Sequence, residues 1–276
     1  MKVIIHHKTV YNYDAMTRSS IQMLRMTPLS MQRQQVLNWT LTLPAFGSES
    51  YDGFGNFCTL VNLHSPHRQL QITAEGEVEI NIAIKAISDD RLPLGLFLRK
   101  TALTECSEPM IEFAAPFFDG ANGLNRRNRL IDFSQALLER VKYIPGITHV
   151  ASSAQDAFSL GSGVCQDHTH LFLACARYFG IAARYVSGYL HSDSAEHSAS
   201  HAWAEACLDG KWYIFDVSNL LFSPSQHVQI AVGLDYNDTA PIRGVRIGGG
   251  VEKMNYAVRI MNEQQQQRAK TDNRTC

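Results

Sequence analysis

From Leu70 the even positions carry Leu70, Ile72, Ala74, Val78, Ile80, Ile82 and Ile84, while the odd ones carry Gln71, Thr73, Glu75, Glu77, Glu79 and Asn81. A period of two sends every apolar side chain to one face of a strand, so this stretch demands a sheet with one wet face. Leu37, Trp39, Leu41 and Leu43 alternate in the same way with Asn38, Thr40 and Thr42 until Pro44 ends the run. Phe57, Thr59, Val61 and Leu63 follow the turn-like Asp52-Gly53-Phe54-Gly55-Asn56. Strands this closely spaced predict an antiparallel β-sandwich over residues 1–88.

The alternation breaks at Ser88 to Pro93, a polar segment that reads as a linker, and helical spacing replaces it. Pro109 to Phe118 is predicted as a short helix, and Asn125 to Lys142 as a longer one whose stripe includes Leu130, Phe133, Leu137 and Val141. A further helix starts near Cys165, where Val164, His168, Leu171, Phe172, Cys175 and Phe179 share one face. Strands are predicted near Ile181 to Leu190, His201 to Leu208, Lys211 to Val217 and Glu252 to Met261, with a turn-rich stretch before the last. The fold class is therefore α+β: an N-terminal β unit, a mixed core over 89–262, and a tail over 263–276, rich in Gln, that is expected to be disordered.

Composition narrows the chemistry. Among 276 residues, 25 Lys and Arg oppose 26 Asp and Glu, so no overall field gathers nucleic acid or an anionic membrane. The start turns polar before a signal-peptide core could form, and no apolar run approaches the roughly 20 residues of a membrane span. Six cysteines without a CxxC pair suit a reduced, cytoplasmic setting, in which each is by default a small buried hydrophobe.

Cys165 departs from that default. Gly161-Ser162-Gly163-Val164-Cys165 puts a thiol where a glycine-bearing loop enters a helix, facing unpaired N–H groups and the positive end of the dipole, both of which favour the thiolate. Downstream, Asp209-Gly210 between two alternating runs is the preferred two-residue hairpin turn. Pairing Leu208 with Lys211 sets Trp203 opposite Asp216 and makes His201 and Asp216 diagonal neighbours about 7–8 Å apart at the backbone, a gap their side chains can span. Taken singly, Cys165 is a helix-start residue, His201 a strand-end histidine and Asp216 a turn-proximal carboxylate. Together they form a nucleophile, a base and its orienter.

At these residues the sequence resembles a known family. GSGVCQDHTHLFLACARYFGIAARYVSGYL followed by HAWAEACLDGKWYIFDVSN is similar to the core of the transglutaminase-like superfamily, with 36 residues from Cys165 to His201 and 15 from His201 to Asp216. The likeness extends over residues 1–262. His7, Thr9, Tyr11 and Tyr13, then Leu24-Arg25-Met26-Thr27-Pro28 and the Asp52 to Asn56 turn, resemble the β-rich N-terminal domain of bacterial members, as do Val232 to Tyr236 and Ala240 to Gly250 further on. The resemblance implies a papain-like core, Cys165 as nucleophile, His201 as general base and acid, and Asp216 as its orienter. It implies acyl transfer or hydrolysis on a polypeptide or small amide, with an amine or water as acceptor and no cofactor or metal. Val217-Ser218-Asn219 departs from the Pro and Thr that follow the aspartate in many relatives. No acidic loop suggests calcium. A noncatalytic peptide-binding module on the same fold is the alternative, and oligomeric state is left open.

Other residues receive structural readings. Cys165, His168 and His170 diverge too far around a helix to share one zinc. Asp167 is expected to cap the helix, Arg177 and Arg184 to pair with carboxylates, and His191 and His197 to flank a solvated loop. Trp203 and Trp212 are placed on the triad's face, and Tyr143, Tyr185 and Tyr189 remain open as oxyanion donors.

Overall fold

The computed structural model describes residues 1–89, 91–118, 125–192 and 200–266. Five strands open the chain: β1 (Lys2–Leu24), β2 (Gln34–Thr42), β3 (Gly47–Tyr51), β4 (Phe57–Leu63) and β5 (His67–Ile80). There follow α1 (Glu108–Phe118), α2 (Asn125–Arg140), β6 (Lys142–Tyr143), α3 (Ala154–Leu160), β7 (Ser162–Gly163) and α4 (Cys165–Tyr178). The second half holds β8 (Ala183–Leu190), β9 (Ser200–Leu208), β10 (Lys211–Phe215), β11 (His227–Gly233), α5 (Tyr236–Thr239), β12 (Ile242–Gly248) and β13 (Glu252–Asn262). The class is α+β, as the change of period predicts.

The N-terminal strands form one curled antiparallel sheet of seven strands, in the order β2-β5-β1-β4-β3, with β12 and β13 added to β1. One curled sheet stands where the spacing suggested a two-sheet sandwich. Its curl comes from β1, whose first half runs between β5 and β13 and whose second half runs between β4 and β12, with the pairing interrupted between Asn12 and Thr17. β5 stops at Ile80, opposite Gln34 of β2 and one residue past the Lys2–Glu79 pair, and Ile82 beyond it is half exposed. Two strands from the 89–262 range therefore belong to the sheet of the first 88 residues.

The core sheet is antiparallel, in the order β10-β9-β8-β11. The β9–β10 turn holds Asp209 at φ 50° and Gly210 at φ 75°, the left-handed pair that a two-residue hairpin needs. One face of this sheet packs Ala202, Ala204, Ala206 and Phe215 with Leu171, Phe172 and Cys175 of α4 and Phe133 of α2. The other face meets the N-terminal sheet, where Val3, Ile5, Val78, Ile80 and Ile260 pack with Tyr189, Val228 and Ile230. Between the two, Glu205 is fully buried with Arg33 of the N-terminal unit and Arg184 of β8, and Arg184 also reaches Asp89 in the linker at 2.7 Å. The linker is thus bolted to the core, and Ile87 exchanges backbone hydrogen bonds with Trp212.

Candidate active site

Cys165 is the first residue of α4. Asp167 closes that helix start, its Oδ2 accepting from the Val164 N–H and from Thr148 Oγ1, both at 2.7 Å, which is the cap the sequence predicts. The hairpin has the expected register, Lys211 opposite Leu208 through Phe215 opposite Ala204, so Asp216 continues toward Trp203. His201 Nε2 donates to Asp216 Oδ2 at 2.8 Å. Cys165 and His201 line the same cleft, and Nδ1 is the ring nitrogen that Asp216 leaves unused. The structure thus bonds His201 to Asp216 and puts Cys165 on the same cleft as His201.

Asp216 is fully buried and would be neutral in isolation. Burial pushes its carboxyl up, but the charge and hydrogen bond of His201, joined by His227, outweigh this and hold it well below the usual carboxylate range. Burial likewise depresses the His201 imidazolium; the Asp216 charge and hydrogen bond and the neighbouring Cys165 overcome it and raise the ring to about 10. A negatively charged acid thus keeps a positively charged ring next to the sulfur.

His227 and Asn219 complete the site, and neither is marked by the sequence. His227 Nε2 donates to Asp216 Oδ2 at 3.1 Å, and Asn219 Nδ2 donates to the same oxygen at 3.1 Å. His227 is entirely buried and its pKa is lowered, chiefly by that burial. Its only sequence signal is a histidine at the start of an apolar run. Trp203 is buried beneath both imidazoles, 6.1 Å from His201 ring to ring and 4.8 Å from His227, so it packs the floor of the site. Trp212 lies elsewhere, under Arg184 and against Phe97.

A cleft of about 270 Å³ opens beside Cys165 and His201. Tyr185 and Tyr189 form its core wall, β1 contributes His7, Thr9 and Tyr11 from across, and β13 adds Met254 and Tyr256. The Tyr189 hydroxyl is bonded to His7 Nδ1 at 2.8 Å, which ties the walls together, and Tyr143 sits outside the lining against His168.

Residues 3–79 match the bacterial transglutaminase-like N-terminal region, and residues 119–217 match the transglutaminase-like superfamily core. An uncharacterized protein of Mycobacterium leprae is 32% identical, the match covering 94% of this chain and 98% of that one. The chain belongs to the bacterial transglutaminase-like family. An uncharacterized Mycobacterium tuberculosis protein is 28% identical over 87% of this chain and 86% of its own. A Cytophaga hutchinsonii structure described as a candidate cysteine protease has the same fold, with a TM-score of 0.76 at 22% identity, covering 95% of this chain and 90% of that one.

Several expectations for this transglutaminase-like chain are corrected. Among the described residues Arg177 pairs with no carboxylate; it donates to the carbonyls of Ala183 and Leu234 and to Thr104 Oγ1, satisfying backbone groups around the end of α4. His191 is buried and bonded to Gln265 Oε1 at 3.0 Å, while His197 lies outside the described residues. His168 is held by the Val141 carbonyl and Ser218 Oγ, and His170 Nε2 accepts from the Tyr236 N–H, so neither turns toward Cys165. Among the described residues, the donor set with metal-ligand spacing is His201, Asp216 and His227, and the two N–H···O bonds account for its convergence. No described helix is long and apolar enough to cross a membrane.

Proposed function

We propose that the protein forms a thioester on Cys165 and passes the acyl group to an amine or to water. The observation that carries this reading is an imidazole bonded to Asp216 through one nitrogen at 2.8 Å, on a cleft that Cys165 also lines. The sulfur attacks a carboxamide carbon, and the oxyanion that forms accepts hydrogen bonds from the N–H groups at the start of α4. The C–N bond breaks as protonated His201 gives its proton to the departing amine or ammonia. In the second half, neutral His201 removes a proton from the acceptor, which attacks the thioester and expels the thiolate.

The donor is a polypeptide or small amide, and neither nucleic acid nor a membrane takes part. A reducing compartment suits a working thiol, so we assign the protein to the cytoplasm; fractionation that finds it elsewhere overturns that assignment. For the reaction, the full chain is incubated with a labelled primary amine and a glutamine peptide, and hydrolysis is followed alongside. Amine incorporation identifies a transferase and cleavage without incorporation a hydrolase, while turnover that survives in C165A overturns the proposal.

A further inference from the structure

We infer that Arg25 receives a carboxylate of the acyl donor, so that the substrate carries an acid group beside the amide that Cys165 attacks. This rests on the acyl-transfer reading above and adds the substrate's chemical class. Arg25 lines the same cleft as Cys165 and His201, and among the described residues no Asp or Glu does, so Arg25 is the one permanently charged side chain in the described lining.

Its placement is built by two motifs that the reaction leaves unused. Arg25 Nε donates to Asp52 Oδ2 at 2.8 Å, and the Arg25 N–H is held by the Pro241 carbonyl. Asp52 opens the Asp52 to Asn56 turn and spends its remaining capacity locally: Oδ1 accepts the Phe54 and Asn56 N–H groups, and Oδ2 also accepts Asn56 Nδ2. Asn56 in turn clasps β11, donating to the Val232 carbonyl and accepting from the Val232 N–H, both at 2.8 Å. The guanidinium is therefore fixed along one edge to a turn that is locked onto the core. Its side chain is only 13% exposed, yet no described residue takes either terminal nitrogen. An arginine so positioned offers the two-pronged donor geometry that matches a carboxylate. The volume, at the small end for a ligand site, suits an acid group a few bonds from the reacting carbonyl.

The test needs no known substrate. Cys165 is alkylated with iodoacetate and, separately, with iodoacetamide, and its rates are read by mass spectrometry of the Cys165 peptide; in both, sulfur displaces iodide. The ratio of the two rates on one preparation cancels changes in thiol reactivity or folded fraction. Relative to 2-mercaptoethanol, the ratio is expected to favour iodoacetate, and to fall about tenfold in R25Q, the loss of one charge-assisted bond. D52N, which frees the guanidinium, is expected to lower it in part. Protection of Cys165 by three blocked peptides then identifies the source: Gln-Gly with a free terminus protecting best points to a chain-terminal carboxylate, and amidated Gln-Glu protecting best points to a side chain. A ratio unmoved by R25Q, or protection by amidated Gln-Gly equal to both, overturns the inference. A Cys165 no faster than 2-mercaptoethanol with either reagent overturns the acyl-transfer reading instead, while the ratio still reports on Arg25.

Discussion

Asp216 is where the site's electrostatics are decided, because it is fully buried and collects bonds from His201, His227 and Asn219. Replacing it with asparagine keeps the shape and removes the charge that offsets the burial of His201. We expect D216N to lower turnover by roughly 10²–10⁴-fold and to bring the His201 pKa far below about 10, read from the pH–rate profile. The same ring gives stability a pH dependence. Its folded pKa is raised above the ordinary 6.5, so its contribution is full below about pH 6.5 and is lost as pH climbs through about 10. Wild-type Tm should fall more steeply than that of H201Q between pH 7 and 10, and parallel curves would refute this. Cys165, His201 and Asp216 were legible because a helix start and a hairpin turn are local signals. His227 was not, since it reaches Asp216 through strand pairing on the far side of β8, which leaves no mark in nearby residues.

At the scale of elements, β8 is the spacer on which the site's geometry depends. It lies between β9, which carries His201, and β11, which carries His227, and Gly188 stands directly opposite His201. A Cβ at Gly188 would lie 2.0 Å from the Val228 carbonyl oxygen and 2.8 Å from the Trp203 ring. The backbone oxygen cannot swing aside, so β11 must move. G188A should cost about 2–3 kcal/mol in urea unfolding and displace His227 from Asp216, reducing turnover; an unchanged midpoint would show that the strands yield more easily than packing implies. The β9–β10 register followed from one Asp-Gly pair, whereas β11 is a short apolar run and β12 a glycine-containing one, and neither has a turn beside it that fixes its partner.

At the scale of the whole molecule, the two sheets share a core. Val3, Val78 and Ile260 pack with Val228 and Ile230, and the buried Glu205 is paired across the junction with Arg33. Unfolding should therefore be a single transition, with intrinsic tryptophan fluorescence and far-UV circular dichroism tracing the same curve. Two resolved transitions would mean that the sheets stand alone. The boundary expected near residue 88 rests on a change of period in the sequence, whereas pairing across more than 200 residues, as between Val3 and Asn262, leaves no local period to read. That pairing also governs timing during synthesis. β13 emerges from the ribosome after the other described strands, and it carries Met254 and Tyr256 into the cleft beside Cys165. A growing chain consequently holds Cys165 long before the cleft beside it is walled, and a finished place for a substrate arrives only with that ribbon of backbone.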